Sequence, residues 1–224
     1  KQVEIPGLNR LDGMSPSTQI LTAFDDDPVL AGVANQSTIE ESLMSNHPTV
    51  LLNLETGEKL PHWVELDART DDKGPTILYI RTLRGLEHNT AYGVGIAGLT
   101  NESGNLLSAS SAFQALIDGN YTDALDVELR SEEFGKLFDS LEQIGYERQN
   151  LQAAWKFHTA STESIIGGML HMREDALIRL GDEGIGCNVT SSEDNFGDDN
   201  MTFRRVRGTI TTPQYLVSPD ESRS

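Results

Sequence analysis

The stretch Tyr92-Gly93-Val94-Gly95-Ile96-Ala97 places a bulky apolar side chain at every second position and a glycine or alanine between them. Successive side chains of a β-strand point to opposite faces, so this segment predicts a strand with one bulky face and one almost bare. Tyr92, Val94 and Ile96 belong in a core. The bare face has two readings: a neighbouring element packed closely over it, or a ligand laid against the glycines.

Strand-length apolar runs surround it. Ile20–Phe24 and Val50–Leu54 are compact, and Thr76–Leu83 is nearly continuous, as expected of a strand covered on both sides. Glu55-Thr56-Gly57-Glu58 follows the second run, where a glycine supplies the positive φ of a short hairpin loop. The natural return strand passes through Trp63, Val64 and Leu66. Pro61 near its start predicts an edge or bulge, because proline cannot donate to a sheet ladder.

After Gly119 the period changes. Phe134, Leu137, Phe138, Leu141 and Ile144 recur as one face of a helix, opened by Ser131 with Glu132 and Glu133 in its first turn and closed by Gly145. Ile166, Met169, Leu170, Ala176, Leu177 and Leu180 repeat the arrangement between Ser161 and Gly181. Between the two, Leu151–Thr159 alternates as a strand. Residues 182–200 hold six acids and no lysine or arginine, which predicts a solvated loop. Met201–Val217 is strand-like again, with Pro213 as a break, and Ser218–Ser224 has tail composition. The patterns predict a mainly β chain with a helical annex. Starting at Lys1 and opening a fresh strand near its end, the chain reads as a piece of a longer protein.

With 224 residues, 37% of them apolar, the chain can bury a real core. Its net charge of −18 repels phosphate backbones and anionic headgroups, which argues against nucleic acid as a partner. No apolar run approaches the roughly 20 residues of a membrane span. Five Asn-x-Ser/Thr patterns, at Asn35, Asn101, Asn120, Asn188 and Asn200, mark exposed loops.

Leu83-x-x-Leu86-x-x-x-Thr90-x-Tyr92-x-Val94, followed by Gly98-Leu99-Thr100-Asn101-x-x-Gly104-Asn105-x-Leu107, resembles the bacterial Ig-like domains of S-layer and other exported proteins. In that family a Thr-x-Tyr strand leads into a loop ending in Gly-Asn. A longer resemblance, to the N-terminal region of large extracellular lipase-like proteins of Gram-negative bacteria, rests on five segments. These are Asp12–Pro16, Pro48–Leu52 with Thr56-Gly57-Glu58, Trp155–Ser161, Leu170–Arg173 and Arg207-Gly208-Thr209. The resemblances imply an immunoglobulin-like β-sandwich over residues 1–120, followed by an α+β segment. Its parts would be a helical annex with one strand over 121–181, then an acidic loop and the first strand of a following domain over 182–224. They also imply a secreted or outer-surface location and a C-terminal α/β-hydrolase domain or a neighbouring subunit as partner.

The residues themselves offer no complete catalytic set. A hydrolase nucleophile needs Gly-x-Ser-x-Gly, and Gly13-Met14-Ser15-Pro16 has the wrong continuation, so Ser15 reads as a turn residue. His47, His62, His88, His158 and His171 show no metal-pair spacing. His171 and Asp175, one helical turn apart, predict a hydrogen bond that reads as surface stabilisation, with a catalytic dyad as the weaker alternative, and His158 beside Phe157 reads as a partly buried structural residue. Two acidic clusters, Asp25-Asp26-Asp27 and Asp194 with Asp198 and Asp199, are the candidate calcium ligands, though neither has the EF-hand order. Arg205 and Arg207 would share a strand face and pair with the acids before them or with a partner domain, the local pairing being the more economical. Trp63 and Trp155 read as core, with a sugar platform as the weaker alternative. Cys187, the single cysteine, is either a buried reduced thiol or half of a bridge to a segment outside these residues. The expected function is a non-catalytic N-terminal support of a lipase- or esterase-like hydrolase, with a structural or adhesive, self-assembling surface protein as the alternative.

Overall fold

The computed structural model describes residues 11–68, 75–120, 125–182, 184, 186–197 and 202–215. They fall into two compact units, Leu11–Ser161 and a second containing Thr162–Ser224. The fold is mostly β, with three antiparallel sheets and three α-helices among the described residues.

In Leu11–Ser161 two three-stranded sheets form. β1 (Ile20–Ala23), β4 (Ile77–Thr82) and β3 (His62–Leu66) pair in the order β1-β4-β3; β2 (Thr49–Asn53), β5 (Ala91–Ala97) and β6 (Leu151–His158) pair in the order β2-β5-β6. One core holds Ile20, Val64, Leu78 and Ile80 of the first sheet with Leu51, Tyr92, Val94 and Ile96 of the second. The sheets therefore meet face to face. In the unpatterned run Thr76–Leu83 the neighbours decide which parity turns inward: Ile80 lies opposite both Ile20 and Val64. Tyr79, on the outer face, lies under the Arg81 guanidinium, 4.8 Å from its ring centre.

The bare face of β5 is bare because helices cover it. The second core joins Val50, Leu52 and Ala154 of the sheet to α1 (Ser111–Asp118) and α2 (Leu125–Glu142) through Phe113, Leu116, Ile117, Leu137, Phe138 and Leu141. A Cβ at Gly93 would stand 2.8 Å from Leu137 Cδ1, and one at Gly95 would stand 3.2 Å from Leu141 Cδ2. The first is closer than real contacts come and the second is tighter than most, so a side chain at either position would force the leucines of the helix to shift. Of the two readings of this face, the packed one describes the fold.

Several sequence expectations change. Leu151–Thr159, expected within the annex, supplies β6, the third strand of the second sheet, so both helices lie in the connection from β5 to β6. The sandwich thus runs past residue 120, and the compact unit ends at Ser161. Helix α1 lies inside the segment read as strands. Its signal was there: Ser110 caps it by accepting the Phe113 N–H, and Phe113, Leu116 and Ile117 share its buried face. Helix α2 starts before Ser131, through the helix-forming Glu128, Leu129 and Arg130.

β2 and β3 do not form a hairpin. After the backbone bond from Leu60 N–H to Leu51 O, Pro61 can donate nothing further, and the chain crosses to the edge of the opposite sheet. Gly57 has the expected positive φ of 74°. Trp155 packs on the inter-sheet core, whereas Trp63 lies opposite Arg81 and is half-buried outside that core.

The other unit contains one turn of π-helix, Glu163–Gly167, then α3 (Gly168–Leu180) and a hairpin of β7 (Cys187–Asp194) with β8 (Arg204–Ile210). β7 replaces much of the expected acidic loop. Every β7 residue is exposed, so it has no apolar face from which a period could be read. Cross-strand ion pairs join its acidic end to β8 instead: Arg205 Nη2 to Glu193 Oε2 at 2.6 Å, and Arg204 to Asp194.

Candidate functional site

Four buried polar side chains of the sandwich, Ser42, His47, Thr49 and His62, gather at the start of β2. His47 and His62 are 5% and 0% exposed, with ring centres 5.7 Å apart and nearly perpendicular. The backbone N–H of Ala34 donates to His47 Nε2 at 2.8 Å, which makes that nitrogen an acceptor and leaves the proton on Nδ1, directed at Thr49 O, also at 2.8 Å. His62 Nδ1 donates to Leu60 O at 2.9 Å, so its Nε2 accepts the Thr49 hydroxyl at 2.8 Å. Both rings are therefore neutral Nδ1–H tautomers. Burial pushes both below the ordinary histidine range, His62 to about 4.

Two further contacts carry this cluster outward. Ser42, in the 3₁₀ turn Ile39–Leu43, accepts the His62 backbone N–H at 3.1 Å and donates to Ile39 O at 2.6 Å. Tyr146, between α2 and β6, donates its hydroxyl to His47 O at 2.7 Å, and burial raises its pKa to about 12. The cluster thus ties the β1–β2 connection to β2, β3 and the segment leaving the helical layer. Tyr146→Phe, which leaves His47 O without that donor, is expected to cost about 1–2 kcal/mol, read as a lower urea midpoint at unchanged slope.

No single residue type at a fixed spacing announces this arrangement in the sequence. His47, Thr49 and His62 sit in separate elements, and only the fold brings them together. As a chemical device it is closed: each ring nitrogen already has a partner, and none is aimed at a pocket that could receive a substrate.

The structure places the sequence candidates apart from it. Ser15 Oγ accepts the Ser17 N–H at 3.2 Å inside a turn. Asp26 accepts Asn101 Nδ2 at 3.4 Å and Asp27 accepts the Thr76 hydroxyl, so two of these three carboxylates bond to neighbouring segments. Asp194 pairs with Arg204; Asp198 and Asp199, like the tail Ser218–Ser224, lie outside the described residues. Among the described residues no three His, Cys, Asp or Glu side chains converge as a metal set. Compared with known proteins, the chain matches no family model and no curated protein. Asp175 takes hydrogen bonds from Tyr215 Oη at 2.8 Å and Arg179 Nε at 2.7 Å in place of one from His171, and these hold its carboxyl below the usual range. His158 points outward and is exposed, since its alternate Phe157 takes the inner face. Cys187 opens β7 opposite Ile210 and is exposed rather than buried. No helix among the described residues is long and apolar enough to cross a membrane.

One close approach unites two of the segments that carry the lipase-like resemblance. Met14 N–H donates to His158 O at 2.8 Å, Ala160 N–H to Met14 O at 2.7 Å, and Ser161 N–H to Asp12 Oδ1 at 3.1 Å. Between them a Cβ at Gly13 would stand 2.5 Å from Ala160 N, so only glycine allows the two strands this contact. Asp12–Pro16 and Trp155–Ser161 are thus one structural joint.

Proposed function

We propose that the chain is a non-catalytic supporting domain of a secreted or cell-surface lipase- or esterase-like hydrolase, with Leu11–Ser161 an immunoglobulin-like sandwich carrying a helical insertion. The observation that carries this is the exposed apolar surface of the other unit. Among the described residues of 162–215 no apolar side chain is buried, and Met169, Leu177 and Ile178 of α3 and Val206 and Ile210 of β8 are each more than half exposed. Elements that cover so little of their own apolar surface suit a unit completed by another protein surface. In this reading that surface is the hydrolase domain.

The immunoglobulin-like part draws support from strand order. β1-β4-β3 and β2-β5-β6 follow the B-E-D and C-F-G orders of that sandwich, and Tyr92 Oη, at the start of β5, accepts the Glu87 N–H at 3.0 Å in the manner of a tyrosine corner. Two of the five segments that carry the lipase-like resemblance, Asp12–Pro16 and Trp155–Ser161, meet in space, which is consistent with their belonging to one unit.

The reading is tested on the open reading frame that contains these residues. It is expected to encode a Gly-x-Ser-x-Gly elbow, and the whole product is expected to hydrolyse p-nitrophenyl butyrate while the 224-residue chain alone does not. Turnover by the chain alone, abolished by Ser15→Ala, would overturn it, as would a reading frame with no elbow. The same exposed surface on a chain of net charge −18 favours a second reading, a self-assembling surface protein joined by calcium at Asp25–Asp27. Calcium-dependent growth in light scattering, in a product without an elbow, would select it.

A further inference from the structure

We propose that the buried histidine pair is an acid-release latch, in which protonation of His47 and His62 frees the connection between β1 and β2 while the two sheets stay folded. Three of the contacts that hold this connection run through the two histidines, and the first of them requires a neutral ring. Ala34 N–H needs a bare Nε2 on His47. The 3₁₀ turn is fastened through Ser42 to the backbone of His62. His47 O, which anchors Tyr146, follows the position of the His47 ring.

Adding a proton breaks this pattern at a definable place. On His47 the free lone pair is Nε2, so the new N–H would point at the Ala34 N–H; two donors cannot share that contact, and Ala34 must move away. On His62 the new N–H would point at Thr49 Oγ1, which could turn to accept it. The Thr49 hydroxyl would then lose its acceptor on His62, and His47 Nδ1–H, 3.2 Å away, cannot replace it because it is already a donor. Two adjacent cations in a buried site also repel.

The groups facing the pair do not offset this. Glu41, on the 3₁₀ turn, favours the charged His47, while Lys59, from the β2–β3 connection, opposes it. Tyr146, from the α2–β6 connection, is a neutral phenol throughout the range concerned. Among the described residues, the buried side chains next to the rings, Thr49 and Ser42, carry no charge.

The direction with pH follows from linkage. Both rings titrate lower in the folded chain than unfolded, so the latch is fully closed above the unfolded value of about 6.5 and weakens as pH falls towards about 4, where His62 takes its proton. Apart from Thr49 and His62 themselves, which open β2 and β3, the core between the two facing sheets is formed among the described residues by apolar side chains and Tyr92.

Hydrogen exchange of the whole chain, corrected for intrinsic rates and followed by mass spectrometry from pH 7.5 to 4.5, tests the proposal. Peptides covering 33–49 are expected to lose at least about tenfold in protection between pH 6.5 and 4.5 while β4 and β5 keep theirs. Flat protection at 33–49, or equal loss in β4 and β5, would overturn it. The double variant His47→Gln, His62→Gln is expected to abolish the pH dependence, and full retention of it would count against the latch. Should that variant not fold, ring ¹⁵N spectra of the unaltered chain decide: two Nδ1–H tautomers that stay neutral down to pH 6 support it, and either ring titrating near 6.5 refutes it.

Discussion

Val94→Asp is expected to unfold the Leu11–Ser161 unit, or to lower its stability by about 4–5 kcal/mol, a large part of the 5–15 kcal/mol that a domain typically has. Val94 is fully buried at the middle of β5, opposite Leu51 on one side and Trp155 on the other. Its side chain shares the inter-sheet core with Val64, Leu78 and Ile80, and among the described residues no lysine or arginine is buried. A carboxylate there would lose its water and gain no counter-charge, and would either stay protonated at high cost or open the sheets. Both tryptophans lie in this unit, so their fluorescence during urea unfolding reports its midpoint directly. An unchanged midpoint would mean that the two faces of β5 have been assigned the wrong way round.

How much of this fold could be read from sequence depends on whether a segment meets one environment or two. β5 was legible because its two environments demand different side chains: bulky residues towards the opposite sheet, and glycines under α2. The 182–200 region was not, because β7 meets solvent on both faces and its partner strand is chosen by ion pairs that composition alone presents as a loop. β6 was legible as a strand but not as to its place. Its alternation is plain, yet the 53 residues that separate Ala97 from Leu151 hide its pairing with β5. The histidine pair carries no local signal at all: His47 lies before β2, His62 opens β3, and Thr49 is chemically unremarkable until the crossing at Pro61 stacks the two sheets. The acidic clusters were the opposite case, conspicuous in sequence, and in the structure Asp26 and Asp27 take hydrogen bonds while Asp194 pairs with Arg204.

Phe138→Ala is expected to cost about 3–5 kcal/mol, and its pattern of loss tests whether the helical layer belongs to the sandwich or merely rests on it. The ring is 1% exposed, with the rings of Phe113 and Phe134 both at 5.9 Å, so truncation empties the contact between α1 and α2. The Arg148 guanidinium lies 4.6 Å from the same ring while one of its nitrogens donates to Leu116 O. Removing the ring takes away that cation–π contact, worth about 0.5–2 kcal/mol, and loosens the arginine that closes α1 onto the segment entering β6. The sheet beneath has no independent cover. With α2 displaced, Val50, Leu52 and the glycine face of β5 would meet water, and β6, reached only through the helices, would lose its fixed approach. Amides of α2 and β5 are therefore expected to lose protection together and by the same factor, as members of one cooperative unit. Loss confined to α2, with β5 protected as before, would show instead that the helices form a separately stable layer and that the sandwich stands without them.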